Sequence, residues 1–354
     1  LNSTKEFVID FNERNISINL EDVEFPLVNS GGWGFYYSSY SKDHLNKIAE
    51  NLELLSVNEK YRLIEDSWAS IRIGNLDLET FMRIVSNYKE EVDVDWWTLI
   101  SGYISTIEKV IEENNKENFY KWVEKLVEYN YNNLGFEPRD SETQEIRQLR
   151  STIVRIKALY SGDKQIVKRA SGLFKNKEME KIEDGNYFGL ILSLATQDEE
   201  ISANEFLDRF KNSQSPQIES RYRGILGQIK NKEMVEVLTS AILDGTIRGA
   251  DSPYIIASML GNKHNGKSSW DTIAKKFDQV LEKMPDWTAS RILDALPTIY
   301  EEDFAKKIIN FLDINPLPAA EKAQAQKIER LKANIAFSNR ISSSLENNTL
   351  FKEK

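Results

Sequence analysis

Hydrophobic and polar positions alternate near the start of the chain, and this two-residue period predicts β-strands. The alternation runs in two series separated by a turn at residues 12–15: Phe7, Ile9, Phe11, then Ile16, Ile18, Leu20. We therefore predict a hairpin over residues 5–20, followed by short strands at 25–28 and 33–40. Four short strands leave open edges and a half-covered core, so we expect their partner strands to lie outside this chain.

From about Asp43 the hydrophobic period becomes that of α-helices. Ser56 and Glu59 have the spacing of a capping box, in which each side chain accepts a hydrogen bond from the backbone amide of the other residue. An apolar stripe follows on one helix face and ends before Gly74: Val57, Tyr61, Ile64, Trp68, Ile71. The pattern predicts a helix that begins after Ser56 and stops at Gly74.

Amphipathic segments of this kind continue to the end of the chain, separated by short polar breaks, and the last is predicted at residues 319–344. The chain lacks a strict repeat, yet its rhythm is typical of helix pairs stacked in a HEAT or armadillo array. We predict a mainly α protein, a curved α-superhelical bowl preceded by a short β-sandwich remnant.

Composition narrows the classes of function. The 354 residues carry a formal charge of -10 without a basic run, which argues against a nucleic-acid or anionic membrane surface. Cysteine is absent, and no apolar stretch approaches the roughly 20 residues that span a bilayer. We expect a cytoplasmic protein. Since residue 1 is Leu and not Met, we also expect a piece of a longer protein.

The sequence argues against a complete metal site or catalytic triad within this chain. The only histidines are His44 and His264, and neither belongs to H-E-x-x-H or accompanies a G-x-S-x-G elbow. Carboxylate pairs such as Glu65 with Asp66 lie near tryptophans, so glycoside hydrolysis in an all-helical protein stays an alternative. Solvated helix faces explain such pairs more simply.

A phosphate-loop pattern, G-x-x-x-x-G-K-S, occurs late in the chain at Gly261, Gly266, Lys267 and Ser268. A working loop of this type follows a strand, whereas Asp251-Ser252-Pro253 predicts the start of a helix upstream. We interpret the match as coincidental and keep ATP binding as an alternative that calorimetry with Mg-ATP would decide.

Several stretches, in order, resemble the carboxy-terminal part of M1-family zinc aminopeptidases of the puromycin-sensitive and tricorn-interacting-factor type. The first is similar to the family's N-x4-G-Y-Y-R-V-x-Y, with Tyr37 in place of its Arg, and further stretches match R-x-x-L-I-D-D-A-F-A, I-R-x-Q-D and N-x-x-G-R-x-x-x-W. The residues that carry these four matches are Asn29, Gly34, Phe35, Tyr36, Tyr40; Arg62 to Ala69 with Gly74; Ile247, Arg248, Asp251; and Asn262, Gly266, Trp270. The last match overlaps the phosphate-loop pattern and explains it as a family loop.

The resemblance implies the end of a β-sandwich domain at residues 1–40 and an ERAP1-like helical domain at 41–354. In the family this region encloses the substrate chamber and contacts the peptide away from the scissile bond. The family's H-E-x-x-H and G-x-M-E-N motifs are absent here, so any zinc is expected in an upstream catalytic domain, and this chain alone should be inactive. Expected partners are peptides and that catalytic domain.

For the chamber lining we predict Arg248 and Asp251, with Arg248 attracting a peptide carboxylate. A structural alternative is that Asp251 caps a helix while Arg248 pairs locally. For the whole chain, the alternative is a stand-alone helical-repeat scaffold that binds a protein partner on its concave face.

Overall fold

The computed structural model describes residues 6–20, 23, 26–176, 178–317 and 320–345, and over these residues the chain is mainly α-helical, as predicted. Within the described residues, 3-10 helices occupy Ser30–Gly32, Leu52–Leu54, Glu178–Lys181 and Ser290–Thr298. The α-helices of the described residues are α1 Lys42–Ala49, α2 Val57–Ile73, α3 Leu78–Ser86, α4 Val94–Val110, α5 Glu113–Leu134, α6 Gln144–Tyr160, α7 Lys164–Lys175, α8 Gly185–Ala195, α9 Ala203–Lys211, α10 Pro216–Leu226, α11 Met234–Leu243, α12 Ser252–Leu260, α13 Gly266–Lys275, α14 Phe277–Leu281, α15 Asp286–Ala289, α16 Glu302–Ile314 and α17 Glu321–Leu345.

The structure corrects the prediction of β-strands at the start of the chain. Residues 6–20 and 26–40 contain no strand, and residues 5 and 25 of the predicted strands lie outside the described residues. The apolar face of the expected hairpin is uncovered, with Val8 99 % and Phe11 76 % exposed. A strand is stable only when a neighbour satisfies its backbone groups and its apolar face is buried, and the described residues supply neither.

The start of α2 follows the prediction closely. The Ser56 side chain accepts from the Glu59 amide, and Glu59 Oε2 accepts from the Ser56 amide at 2.8 Å. The helix ends at Gly74, whose φ of 86° lies in the left-handed region that glycine adopts without steric cost. The capping box and the glycine stop are both confirmed.

Two compact units divide the chain between Glu90 and Glu91. In unit 1, the residues up to Glu90, Trp68 of α2 packs against Phe81 of α3 with ring centroids 5.3 Å apart. Unit 2 begins at Glu91 and contains a large cluster of buried apolar side chains, which extends from Phe136 to Leu331. The domain boundary predicted after residue 40 stays a prediction.

Asparagine side chains in unit 2 repeatedly donate to backbone carbonyl oxygens that lie roughly one helix pair earlier in the chain. Asn231 donates to the carbonyl oxygen of Glu199, 32 positions earlier, at 2.9 Å, and Asn334 donates to that of Pro297, 37 positions earlier, at 2.7 Å. Asn130 makes the same kind of contact with the Glu91 carbonyl across 39 positions. These contacts support stacking of successive helix pairs, while the superhelical bowl and the HEAT relationship stay predictions.

The last helix was predicted at residues 319–344 and is observed as Glu321–Leu345. Its predicted first residue, 319, lies outside the described residues. Leu331 and Phe337 are fully buried, which places one face of this helix in contact with the rest of unit 2.

Candidate functional site

The two predicted chamber residues lie together in a charged cluster of unit 2. Arg248 Nε donates to Asp251 Oδ2 at 2.8 Å, and Arg223 of α10 donates to Asp251 Oδ1 at 2.6 Å. Arg248 also donates through Nη2 to Glu219 of α10. Two guanidinium groups and two carboxylates thus form one network that joins the start of α12 to α10.

Exposure separates the roles available to these side chains. The Asp251 side chain is 8 % exposed and both its oxygens accept from arginines, whereas the Arg248 side chain is 64 % exposed. The carboxylates of Asp251 and Glu219 raise the pKa of Arg248, so it stays charged. Arg248 is therefore the more exposed of the two arginines in the cluster, since the Arg223 side chain is 34 % exposed.

Asp251 does not act as a side-chain cap, which corrects one part of the structural alternative. It occupies the position before α12, but its side chain accepts no hydrogen bond from the amides of that helix. Both oxygens point to arginines, which bind a carboxylate more strongly than a neutral amide does. The local pairing of Arg248 with Asp251, the other part of that alternative, is present.

The phosphate-loop pattern connects two helices. Gly261 ends α12 and Gly266 begins α13, so the element before the loop is a helix, as predicted, and not the strand that a phosphate loop follows. The Gly266 amide donates to the Asn262 carbonyl oxygen at 2.8 Å. A Cβ on Gly266 would lie 2.6 Å from the Leu260 carbonyl oxygen, so close backbone packing explains this glycine.

The polar residues of the loop have structural partners. Lys267 forms an ion pair with Glu301, and the Ser268 hydroxyl donates to the Asn265 carbonyl oxygen at 2.9 Å. Asn262 Nδ2 donates to the carbonyl oxygens of Gly227 and Ile229, which fixes the loop against the turn between α10 and α11. Each of these contacts serves the fold, and we keep the interpretation that the match is coincidental.

The first family-like stretch forms a tight loop in unit 1. Asn29 has a φ of 64°, and its side chain accepts from the Gly34 amide at 2.6 Å and donates to the Gly34 carbonyl at 3.0 Å. Farther along, the Tyr40 hydroxyl donates to the Val28 carbonyl at 3.2 Å and accepts from the Val28 amide at 3.0 Å. The Asn, Gly and Tyr of the matched pattern therefore have local structural roles.

Arg62 of α2 joins this loop to the second family-like stretch. Its guanidinium donates to the Tyr36 carbonyl oxygen and lies 3.3 Å from both Glu65 and Asp66. Burial raises the pKa of Asp66, although a hydrogen bond from Ser38 and the charge of Arg62 oppose this effect. Because Glu65 and Asp66 both face one arginine, they are ion-pair partners and not a free acid and base.

Aromatic side chains next to that loop are uncovered within unit 1. Trp33 is 85 %, Phe35 is fully and Tyr37 is 72 % exposed. Large exposed apolar groups that lie close together mark surfaces for interaction with another protein, a membrane or a ligand. Sequence patterning placed these residues in the strand predicted at 33–40.

The described residues do not fit a zinc site. The described residues contain no group of three His, Asp or Glu side chains able to hold a metal ion. His44 Nε2 lies at hydrogen-bond distance, 2.6 Å, from the Pro26 carbonyl oxygen. Partial burial, together with the charges of Lys263 and Lys230, lowers the pKa of His264 to about 4.

The described helices include none with the length and apolar character of a membrane span.

Comparison with known proteins matches a family model, the ERAP1-like C-terminal domain, to residues 25–333. The chain is 22 % identical to the alanine/arginine aminopeptidase of Saccharomyces cerevisiae, an alignment that covers 93 % of this chain and 39 % of the yeast protein. It is 23 % identical to the tricorn protease-interacting factor F2 of Thermoplasma volcanium, with 82 % of this chain and 37 % of that protein covered.

The chain spans less than two fifths of the length of these relatives. The similarity nevertheless runs through almost the whole described chain, including the loop at Asn29 and the turn at Asn262. The resemblance predicted from these stretches is confirmed at the level of the family. The chain belongs to the ERAP1-like C-terminal domain family.

Proposed function

We propose that this chain is the noncatalytic C-terminal domain of a zinc metallo-aminopeptidase, which encloses the substrate chamber and contacts the peptide away from the scissile bond. The observation that carries the proposal is the family match over residues 25–333, together with aminopeptidase relatives aligned over 93 % of the chain. The parent enzyme removes N-terminal residues from peptides, and its zinc and zinc ligands belong to an upstream catalytic domain. We place this enzyme in the cytoplasm.

The exposed aromatic surface around Trp33 and Phe35 supports contact with that upstream region. Burying such side chains yields roughly 25 cal/mol for each square ångström of apolar surface removed from water. Unit 1 leaves Trp33, Phe35 and Tyr37 exposed, so this gain is available to a neighbouring domain. The catalytic domain is our proposed neighbour.

Within the chamber, we assign peptide contact to Arg248 and positioning of Arg248 to Asp251. Arg248 is exposed and cationic, and the buried Asp251 holds its Nε at 2.8 Å. A guanidinium fixed in this way can pair with a peptide carboxylate through its remaining N–H groups. The negative charge of Glu219, 29 positions earlier, limits the attraction of free anions to this arginine.

The test compares short and long substrates of the parent enzyme. Arg248→Gln is expected to raise the KM for a peptide with a free C-terminal carboxylate and to leave turnover of an aminoacyl-coumarin unchanged. Arg291→Gln is the matched control, since Arg291 is 55 % exposed and pairs with Asp294 three positions later. Equal effects of Arg248→Gln on both substrates would refute the contact.

A second measurement tests the noncatalytic role. Expressed alone, the chain is expected to bind no stoichiometric zinc and to hydrolyse no aminoacyl-coumarin. Turnover that copurifies with zinc in this chain would overturn the proposal for the domain even if the Arg248 result held.

A further inference from the structure

Three consecutive residues at the end of α4 contact segments much later in unit 2. Glu108 Oε1 lies 3.2 Å from Lys263 Nζ, 155 positions on, and Lys109 Nζ lies 3.5 Å from the Thr298 carbonyl oxygen, 189 positions on. The Val110 carbonyl accepts from the Ser342 hydroxyl at 3.4 Å, 232 positions on. We call these contacts the α4 clasp; it consists of Glu108, Lys109, Val110, Lys263, Thr298 and Ser342.

The clasp departs from what stacked helix pairs require. In a simple helical array each repeat touches only its neighbours, so the first and last repeats stay apart. Here the first helix of unit 2 meets the turn between α12 and α13, the 3-10 helix Ser290–Thr298 and α17. Unit 2 is therefore closed on itself by contacts that its neighbour-to-neighbour packing does not need.

Charge balance makes Glu108 the critical member of the clasp. Its residue is 5 % exposed, and its carboxylate faces Lys263 and the Tyr120 hydroxyl, the latter at 3.4 Å. Burial lowers the pKa of Lys109, Glu108 opposes this and the ammonium group of Lys263 reinforces it, so the two lysines repel each other. Without the Glu108 charge, the repulsion between Lys109 and Lys263 would no longer be offset by this carboxylate.

The clasp contacts are polar and near the long end of hydrogen-bond distances, between 3.2 and 3.5 Å. The neighbouring helices, by contrast, pack through fully buried apolar side chains such as Ile107 of α4 and Ile153 of α6. The Lys263 side chain is 38 % exposed, so water can replace Glu108 at its ammonium group when the pair opens, whereas buried apolar contacts have no such replacement.

We propose that the α4 clasp is a conformational latch: while Glu108 bridges to Lys263 unit 2 is closed, and release of that pair lets α4 separate from the turn between α12 and α13 without unfolding either helix. The latch is a property of unit 2 itself and holds whether or not the parent is an aminopeptidase.

A distance measurement between two labels tests the latch. The sequence contains no cysteine, so Thr98→Cys on α4 and Lys275→Cys on α13, both at exposed positions, give two unique sites for nitroxide labels. Pulsed electron paramagnetic resonance then reports the distance distribution. Glu108→Gln and Lys263→Met are each expected to give a longer and broader distribution with unchanged helix content by circular dichroism.

Lys175→Met is the matched control. Lys175 lies 3.3 Å from Asp198 and its side chain is 39 % exposed, compared with 3.2 Å and 38 % for Lys263, but its pair joins neighbouring elements. Lys175→Met is expected to leave the distribution of label-to-label distances the same as in the doubly labelled protein without this substitution. An unchanged distribution in folded Lys263→Met would overturn the proposal, and so would equal broadening in Lys175→Met.

Discussion

Asn262 Nδ2 lies 2.9 Å from the carbonyl oxygen of Gly227, 35 positions earlier. The same side chain donates to the Ile229 carbonyl, and its Oδ1 accepts from the amides of His264 and Asn265. One asparagine side chain thus stabilises the turn between α12 and α13 and connects it to the turn between α10 and α11. These contacts give the stretch that matches the phosphate-loop pattern a structural role in this turn.

Replacing this asparagine should destabilise unit 2. Asn262→Ala removes the hydrogen bonds to the Gly227 carbonyl oxygen and from the amides of His264 and Asn265, whereas the Ile229 carbonyl keeps the bond from Asn265 Nδ2. Unsatisfied groups of this kind cost about 1–3 kcal/mol when they stay buried. Urea unfolding followed by circular dichroism measures the loss. Asn212→Ala is the control, because Asn212 is exposed and donates only to the Asp208 carbonyl four positions earlier. Equal losses in both variants would show that the contact between turns contributes nothing of its own.

The glycine of the loop gives an independent prediction. In Gly266→Ala the new methyl group meets the Leu260 carbonyl oxygen at 2.6 Å, so the backbone must shift. Overpacking of this kind costs about 1–3 kcal/mol. Differential scanning calorimetry should show a lower Tm. A Tm equal to that of the unsubstituted protein would mean that the turn accommodates the methyl group.

Nucleotide binding separates the packing account from the phosphate-loop alternative. We expect no heat of binding when Mg-ATP is titrated to millimolar concentration, because the loop follows a helix and Lys267 is paired with Glu301. Saturable binding that Lys267→Met abolishes would restore the nucleotide-binding hypothesis.

The arginine cluster should respond asymmetrically to substitution. Asp251→Asn removes a buried charge shared by Arg223 and Arg248 and is expected to cost about 1–3 kcal/mol. Arg248→Gln should cost at most about 1 kcal/mol, since its side chain is 64 % exposed and solvent screens its ion pairs. Urea unfolding compares the two variants. A larger cost for Arg248→Gln would contradict the assignment of Asp251 as the buried anchor.

The pKa of His264 predicts a stability change in mild acid. Its folded value of about 4 lies below the ordinary 6.5, so the unfolded chain binds a proton first as the pH falls. His264 therefore lowers stability as the pH drops from about 6.5 towards 4, and above that range it has no effect. Proton NMR of the ring, assigned with His44→Gln, should give a midpoint near 4. A titration midpoint near 6.5 would contradict the partial burial of His264 next to Lys263 and Lys230.

Local signals in the sequence predicted local structure well. Ser56 and Glu59 are three residues apart and satisfy each other, so their capping box needs no information from elsewhere in the chain. The start of α12 after Asp251 and the stop at Gly74 are local in the same sense. Such features depend on backbone geometry that nearby residues determine.

Features that depend on partners far away in the chain could not be predicted from the sequence. Arg223 and Glu219 complete the cluster around Asp251, yet they precede it by 28 and 32 positions, and no spacing rule connects them. The carbonyl acceptors of Asn262 are equally invisible, because every residue has such an oxygen. The strands predicted before residue 40 were wrong for a related reason: alternation indicates a strand only where a partner covers it.

The measurement that tests the central claim most directly is the coding sequence upstream of Leu1. We predict, in the same reading frame, H-E-x-x-H with a distal Glu and a G-x-M-E-N motif, which would join this domain to a zinc aminopeptidase. A start codon immediately before Leu1, with no such motifs in frame, would contradict the account and leave a stand-alone helical scaffold whose partner is a protein.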